Sequence, residues 1–305
     1  MIPTDFTSGF WDIFITVFSI GGVLFCAWLL FGGSRLDQTE FPVWDHDLTE
    51  KNHSAPLWWV LLFVGVIVFA AIYFFLYPAL GTQYAGFLDW SSEKQFQEEK
   101  LAQADRFEAM FKEYRQMDIP TIAKDNDAMQ TASRLFYASC AQCHGTDAKG
   151  RPGYPDLTDQ DWLHGGSPQD ILTSITDGRK GEMLSYVKEL GTEGVLQVVH
   201  TVKSLSGLAY DPIYAARGQV HFQQICAACH GAEGKGNTAL GAPNLTDDIW
   251  LYGNSEADLI ETVTNGRQAL MPAQKPLLGD LKVRLLAAYV WRFSNMSNLD
   301  AAETK

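Results

Sequence analysis

The sequence predicts an all-α protein: a membrane anchor of two helices, followed by two small helical domains in tandem. Two uncharged apolar runs before residue 90 and an internal repeat after Pro120 predict this class, and the acidic composition narrows its function. With 305 residues, 47% of them hydrophobic, the chain has room for two small cores plus an embedded segment. The expected units are an anchor over 1–90, an amphipathic linker helix over 91–120, and repeat domains over 121–208 and 209–305.

The first apolar run, Ile13 to Ser34, holds no charged residue and includes Phe14, Val17, Leu24, Trp28 and Phe31. That length crosses a bilayer core, so a helix over about 11–33 is expected. Its leading segment, Met1 to Asp12, has no Lys or Arg, and no small-residue cleavage site follows. The run therefore reads as a retained span rather than a cleaved leader. A second uncharged run, Ala55 to Leu88, has its dense core at 57–80 and opens on Trp58 and Trp59, residues suited to the lipid–water boundary. Two spans put both chain ends on one side and the loop 35–54, with His46 and His53, on the other. Cys26, inside the first run, reads as a small buried hydrophobe.

Between anchor and repeat, residues 91–119 are rich in Glu, Gln and Lys, with Phe107, Met110, Phe111 and Tyr114 at helical spacing. Ser92 and Gln95 suggest a capping box, and Pro120 is expected to end the helix.

Beyond Pro120 the chain repeats itself. Cys140-Ala-Gln-Cys143-His144-Gly145 recurs as Cys226-Ala-Ala-Cys229-His230-Gly231, an offset of 86. From Pro155 and Pro243 onward the offset is 88: Leu157, Trp162, Gly178, Arg179 and Met183 match Leu245, Trp250, Gly266, Arg267 and Met271. Each copy is a duplicated domain, larger than a solenoid unit. Helices over 128–139 and 214–225 should open the copies, with Phe136 and Phe222 each four residues before the first cysteine, and closing helices should follow the methionines. Ala132 and Gly218 would let the opening helix approach the closing one. Tyr289 stands where the first copy has Thr201, so the first pocket is expected to be the less tightly packed.

C-x-x-C-H is the attachment string for haem c: the two cysteines form thioethers to the vinyl groups, and the histidine that follows reaches the iron. The rival is a four-cysteine zinc site, but zinc ribbons pair their C-x-x-C strings far closer in sequence and leave both histidines unexplained. The expected cofactors are two covalent haems c, one on Cys140, Cys143 and His144, the other on Cys226, Cys229 and His230. Methionine as sixth ligand makes such an iron an electron carrier, and Met183 and Met271 sit at equivalent repeat positions on glycine-containing loops. The simplest pairing keeps each methionine in its own copy; exchange between copies stays open. Both domains then read as class I cytochrome c-type folds. His164, His200 and His221 do not recur in the repeat and read as structural or surface residues.

Because haem c is attached outside the cytoplasm, the haem domains are expected on the periplasmic face of a bacterial inner membrane, with the chain a multi-pass protein in contact with lipid. Net charge is −13, from 36 carboxylates against 23 Lys and Arg, which excludes a nucleic-acid partner. The acids are spread: eleven against eight bases in 121–208, ten against eight in 209–305. They leave the donor open.

Beyond the paired motifs, Trp44-Asp-His-Asp-Leu-Thr-Glu-Lys-Asn52, Pro56-Leu-Trp58-Trp59 and Tyr77-Pro-Ala-Leu-Gly81 resemble the membrane stretch of one family, the dihaem subunit III (CcoP or FixP) of cbb3-type cytochrome c oxidases. The resemblance covers nearly the whole chain. It implies an electron-transfer subunit without catalytic residues of its own, relaying electrons in aerobic respiration from a periplasmic or membrane-bound cytochrome c to the monohaem and catalytic subunits. Rival readings are a cytochrome subunit of another membrane dehydrogenase, and a dihaem peroxidase, which would need one iron with an open sixth position.

Overall fold

The computed structural model describes residues 9–33, 46, 56–81 and 84–303, with side chains described to residue 295. The chain divides into two compact units, Met1–Arg106 and Phe107–Lys305.

In the first unit, α1 (Gly9–Gly33) and α2 (Leu57–Leu76) are both long and apolar enough to cross a membrane. Their side chains, Phe18, Trp28, Phe69 and Phe75 among them, point outward rather than into a core. Cys26 is likewise exposed on α1, which corrects its expected burial: this helix presents its surface to surroundings outside the chain. α2 stops at Leu76, four residues short of expectation, because Pro78 disfavours the helical conformation at Tyr77, which is extended. The start of α1 meets the segment after α2: Thr16 Oγ1 donates to the Leu80 carbonyl at 3.0 Å. The two helices therefore run antiparallel, as two consecutive spans require. The loop 35–54, apart from His46, lies outside the described residues.

α3 (Ser92–Phe111) is capped by Ser91 rather than Ser92: the Ser91 hydroxyl accepts from Lys94 N at 3.1 Å. A 3-10 turn follows (Lys112–Arg115), then α4 (Ile119–Ile122). Pro120 does not end a helix here but starts one, since its missing N–H is not needed in a first turn.

In the second unit each repeat supplies an opening helix, α5 (Asn126–Ser139) or α9 (Pro212–His221), the latter continuing through a π-turn over Phe222–Cys226. The motif forms a single short helix in each copy, α6 (Ala141–His144) or α10 (Ala227–His230). Next come α7 (Pro168–Asp177) and α11 (Glu256–Asn265), then the strands β1 (Arg179–Met183) and β2 (Arg267–Met271). The first copy closes on α8 (Val187–Leu205), which is broken at Gly191; the second closes on α12 (Lys275–Leu278) and α13 (Asp280–Glu303), broken at the equivalent Gly279.

The closing helices are exchanged. α8 packs on α9 and α11 of the second copy, while α13 packs on α4, α5 and α7 at the start of the unit. The crossing point is the antiparallel ribbon β1–β2, in which Arg179 faces Met271 and Met183 faces Arg267. Gly178 and Gly266 make the crossing possible. A Cβ on Gly178 would lie 2.4 Å from the Met271 carbonyl oxygen, and one on Gly266 2.3 Å from that of Met183. Each lobe thus takes its closing helix from the other repeat.

Two cores result. The first gathers Phe111, Tyr114, Ile119, Ile122, Phe136, Ile171 and Ile175 with Leu281, Leu285 and Leu286 of α13. The second gathers Phe222, Leu259 and Val263 with Val195, Val198, Val199 and Val202 of α8. The expected small-residue approach is present, but to the exchanged helix: a Cβ on Gly218 would fall 2.0 Å from the Gln197 carbonyl oxygen. The expected looseness of the first pocket is reversed for the same reason. Tyr289 packs near Phe136 in the first lobe, their rings tilted, and Thr201 sits in the second, donating to the Ala215 carbonyl at 3.0 Å.

Candidate haem-binding sites

The opening helix of the first lobe is fixed at its start by Asp125, which accepts from the N–H groups of Asp127 and Ala128. The second oxygen of that carboxylate accepts from the Tyr114 hydroxyl at 2.8 Å. This double use ties the cap to the segment before the repeat and holds the carboxyl of Asp125 below its ordinary range, through the Ala128 N–H and then Tyr114. The helix ends at Cys140, and the next turn delivers Cys143 and His144. Asp211 caps α9 in the same way and leads to Cys226, Cys229 and His230.

Both histidines are buried, each 9% exposed. His144 Nδ1 lies 3.0 Å from the Pro155 carbonyl oxygen, and His230 Nδ1 lies 3.0 Å from that of Pro243. A carbonyl only accepts, so each Nδ1 carries the proton and each Nε2 keeps its lone pair for a metal. Burial lowers both pKa values, against the opposing effect of that hydrogen bond, so the rings are neutral as ligation requires. Pro155 and Pro243 were visible in the sequence as matched positions. Nothing in a one-dimensional pattern shows that their carbonyls set the histidine tautomer.

Cys140 and Cys226 are half-buried, and burial pushes both thiols up to about 11. Neither is a thiolate near neutral pH. Among the described residues no group of three or more His, Cys, Asp and Glu side chains converges to hold a metal ion, so the two strings do not form a zinc site. A haem fits the donor set better, and the second pocket adds an independent sign. Trp250 Nε1 is buried without a hydrogen-bond partner, and its ring packs on the same second core as Cys226 and Ala227. An indole N–H left this way wants an acceptor, which a haem carboxylate would supply.

Exchange reaches the methionines. Met271 packs against the first core, with Cys140 and Trp162, and Met183 packs against the second, with Cys226, Ala227 and Trp250. The own-copy pairing expected from sequence is therefore not how the side chains are grouped; the ribbon carries each methionine past its own motif. The non-recurring histidines take structural positions. His200 Nδ1 accepts from Asp211 N at 3.1 Å, His221 lies near Gly194, and His164 packs against Gly241 of the other repeat.

Comparison with known proteins places both repeats and the membrane stretch in one family. Residues 127–200 and 214–290 match the family described as cytochrome c oxidase, cbb3-type, subunit III, and residues 38–83 match the N-terminal domain of cytochrome oxidase-cbb3, FixP. The CcoP subunit of the cbb3-type cytochrome c oxidase of Rubrivivax gelatinosus is 40% identical over 304 residues, covering 98% of this chain and 99% of that protein. The FixP subunit of Bradyrhizobium sp. (strain ORS 278) is 39% identical, covering 81% and 91%; the CcoP subunit of Cereibacter sphaeroides is 36% identical with the same coverage.

Proposed function

Because this chain belongs to the CcoP/FixP family, the membrane-bound electron-transfer subunit III of cbb3-type cytochrome c oxidases, we propose that it holds two covalent haems c and relays electrons from a cytochrome c donor to the monohaem and catalytic subunits. Cys140 and Cys143 hold one haem and Cys226 and Cys229 the other. His144 with Met271 ligates the first iron, and His230 with Met183 the second. Each bound haem supplies a one-electron iron couple. The chain's own residues do the rest. The Pro155 and Pro243 carbonyls orient the histidines, the two cores exclude water, and the crossed ribbon holds both methionines. The haem domains are periplasmic, both chain ends lie on that side of the inner membrane, and the repeat units are 121–208 and 209–305.

The observation that carries this reading is the pair of buried histidines with Nδ1 fixed on a carbonyl, each following two cysteines on one turn. Mass spectrometry of the purified chain should show the apoprotein plus two haems; one haem would overturn the dihaem reading. Replacing Cys226 and Cys229 by alanine in the full chain should leave a single haem and isolate the first site. In that background Met271→Ala should abolish the methionine–iron absorption band and Met183→Ala should leave it. The opposite result overturns the exchanged pairing while preserving the ligand set.

A further inference from the structure

Exchange also redistributes charge. Grouped by sequence copy, the two repeats are similarly acidic. Grouped by packed lobe they differ: residues 107–183 with 266–295 carry thirteen acidic and thirteen basic residues, whereas residues 184–265 carry nine acidic and four basic. The first lobe is neutral, and the second is strongly negative.

The attachment turns differ in the same sense. In the first lobe Ala141 is 7% exposed and belongs to the core that Phe111, Tyr114, Ile119 and Ile122 help to build. In the second, the equivalent Ala227 is only half-buried and Cys229 is exposed where Cys143 is half-buried, while Gln142 and Ala228 are exposed alike; among the described residues no segment corresponding to 107–123 precedes the repeat. Beside this open turn stands Tyr186. It packs with Val187 and Leu190 of α8 on the same core as Cys226 and Ala227, and Glu189 lies between Val187 and Leu190 on the helix. Glu189 is exposed, and so is Glu193 further along α8. At an offset of 88, the first-lobe equivalent of Glu189 is Leu277, which is 78% exposed. At this position of the closing helix the second lobe presents a carboxylate and the first an apolar side chain.

We infer that the second lobe is the docking face for a lysine-rich, soluble electron-donor protein, which settles on the acidic surface around Cys229, Glu189 and Glu193. The inference rests on the relay reading above and adds which lobe receives the donor. Complementary charge steers a basic partner over distances beyond direct contact, and an exposed attachment turn would bring a haem bound there near the contact. The neutral first lobe, with the exposed Leu277 in place of Glu189, offers no such steering.

The test uses the full chain in its assembled oxidase complex, with a lysine-rich mitochondrial-type cytochrome c as the donor probe. Ascorbate with a small mediator serves as the reference reductant. At low ionic strength the kcat/KM for the cytochrome, divided by turnover with the small reductant, should fall about tenfold in the double variant Glu189→Lys/Glu193→Lys. It should fall less in Glu189→Gln, the milder variant that guards against misfolding. In the unmodified complex it should drop steeply with added salt. Glu113→Lys, on the first lobe, should leave the ratio unchanged. An unaltered ratio in the double variant, or an equal fall in Glu113→Lys, overturns the assignment to the second lobe and leaves the relay intact. Haems of this chain that stay oxidised in the unmodified complex under both reductants would instead overturn the relay.

Discussion

In the first lobe Phe136 lies among rings, with Tyr289 and Phe293 at centroid distances of 5.6 and 5.7 Å. Its repeat equivalent in the second lobe, Phe222, is equally buried but sits among valines of α8. The first core continues into the segment before the repeat, where the Arg284 guanidinium of α13 donates to the carbonyls of Tyr114 and Met117. The second has no such extension among the described residues. The same duplicated sequence has thus produced a thick, aromatic lobe and a thin, aliphatic one. The thick lobe buries Ala141 in its attachment turn; the thin one leaves Ala227 half-buried and Cys229 exposed. Since each takes its last helix from the other, neither is a separable cytochrome.

The largest effect should therefore come from separation. A chain stopped after residue 208 lacks α13, and with it Leu281, Leu285 and Leu286, which are 2, 0 and 0% exposed in the first core. Burying each is worth about 2 kcal/mol, so their joint loss is comparable to the ~5–15 kcal/mol that holds a domain together. The truncated chain should show no cooperative thermal transition and no methionine–iron band. A fragment 121–208 that folds and keeps that band would break the exchange outright.

A smaller effect tests the crossing in the thin lobe alone. Gly218→Ala forces a methyl group against the Gln197 carbonyl, 2.0 Å from the ideal Cβ position, and backbone cannot yield as a flexible side chain would. The cost should be about 1–3 kcal/mol, seen as a lower denaturation midpoint with the haem count unchanged. The matching position in the thick lobe is Ala132, which already carries its Cβ at 0% exposure. Ala132→Gly should cost about 1 kcal/mol through helix propensity and lost packing. If Gly218→Ala proves harmless, the close approach of α8 to α9 is wrong.

Much of this was legible in the sequence. The helical runs, the duplicated motif and the offsets of 86 and 88 mark every candidate ligand, because covalent attachment demands fixed spacing and a duplicated fold repeats its register. What the sequence could not assign was partnership. Tyr289 and Thr201 announce an asymmetry between closing helices, yet which opening helix each meets depends on whether the chain crosses at the ribbon. The same residues and the same periodicity serve either topology. The glycines before Arg179 and Arg267 were visible as matched positions. Only the structure shows that each admits the backbone carbonyl of the other copy's methionine. Trp250 was likewise visible as a repeat match, but its unpartnered indole N–H is a fact of packing.

The smallest expected effect concerns the loops near the junction of the copies, where Asp159 is half-buried. Burial first, then the carboxylates of Asp156, Asp161 and Asp247, push its pKa up to about 6, against the opposing hydrogen bond from the Asp161 N–H. The folded state therefore binds a proton here more tightly than the unfolded chain, whose carboxyl titrates near 3.8. Stability should fall as pH rises from about 4 to 6, and the full penalty should be in place at neutral pH. Asp159→Asn keeps an oxygen for the Asp161 N–H, 3.0 Å from Oδ1 in the unaltered chain, and removes the charge. Because the group is partly solvated, the gain is about 1 kcal/mol or less at pH 7, a rise of roughly 3 °C in Tm, and it should vanish at pH 4. Asp247, at the repeat-equivalent position, contributes one of the opposing charges from the second copy, so Asp247→Asn should recover a fraction of the same gain. Thermal melts across this pH range on the two variants and their double mutant give the coupling between them. A coupling of zero would mean that these carboxylates do not feel each other across the repeats, and that the lobes meet through the ribbon and exchanged helices alone.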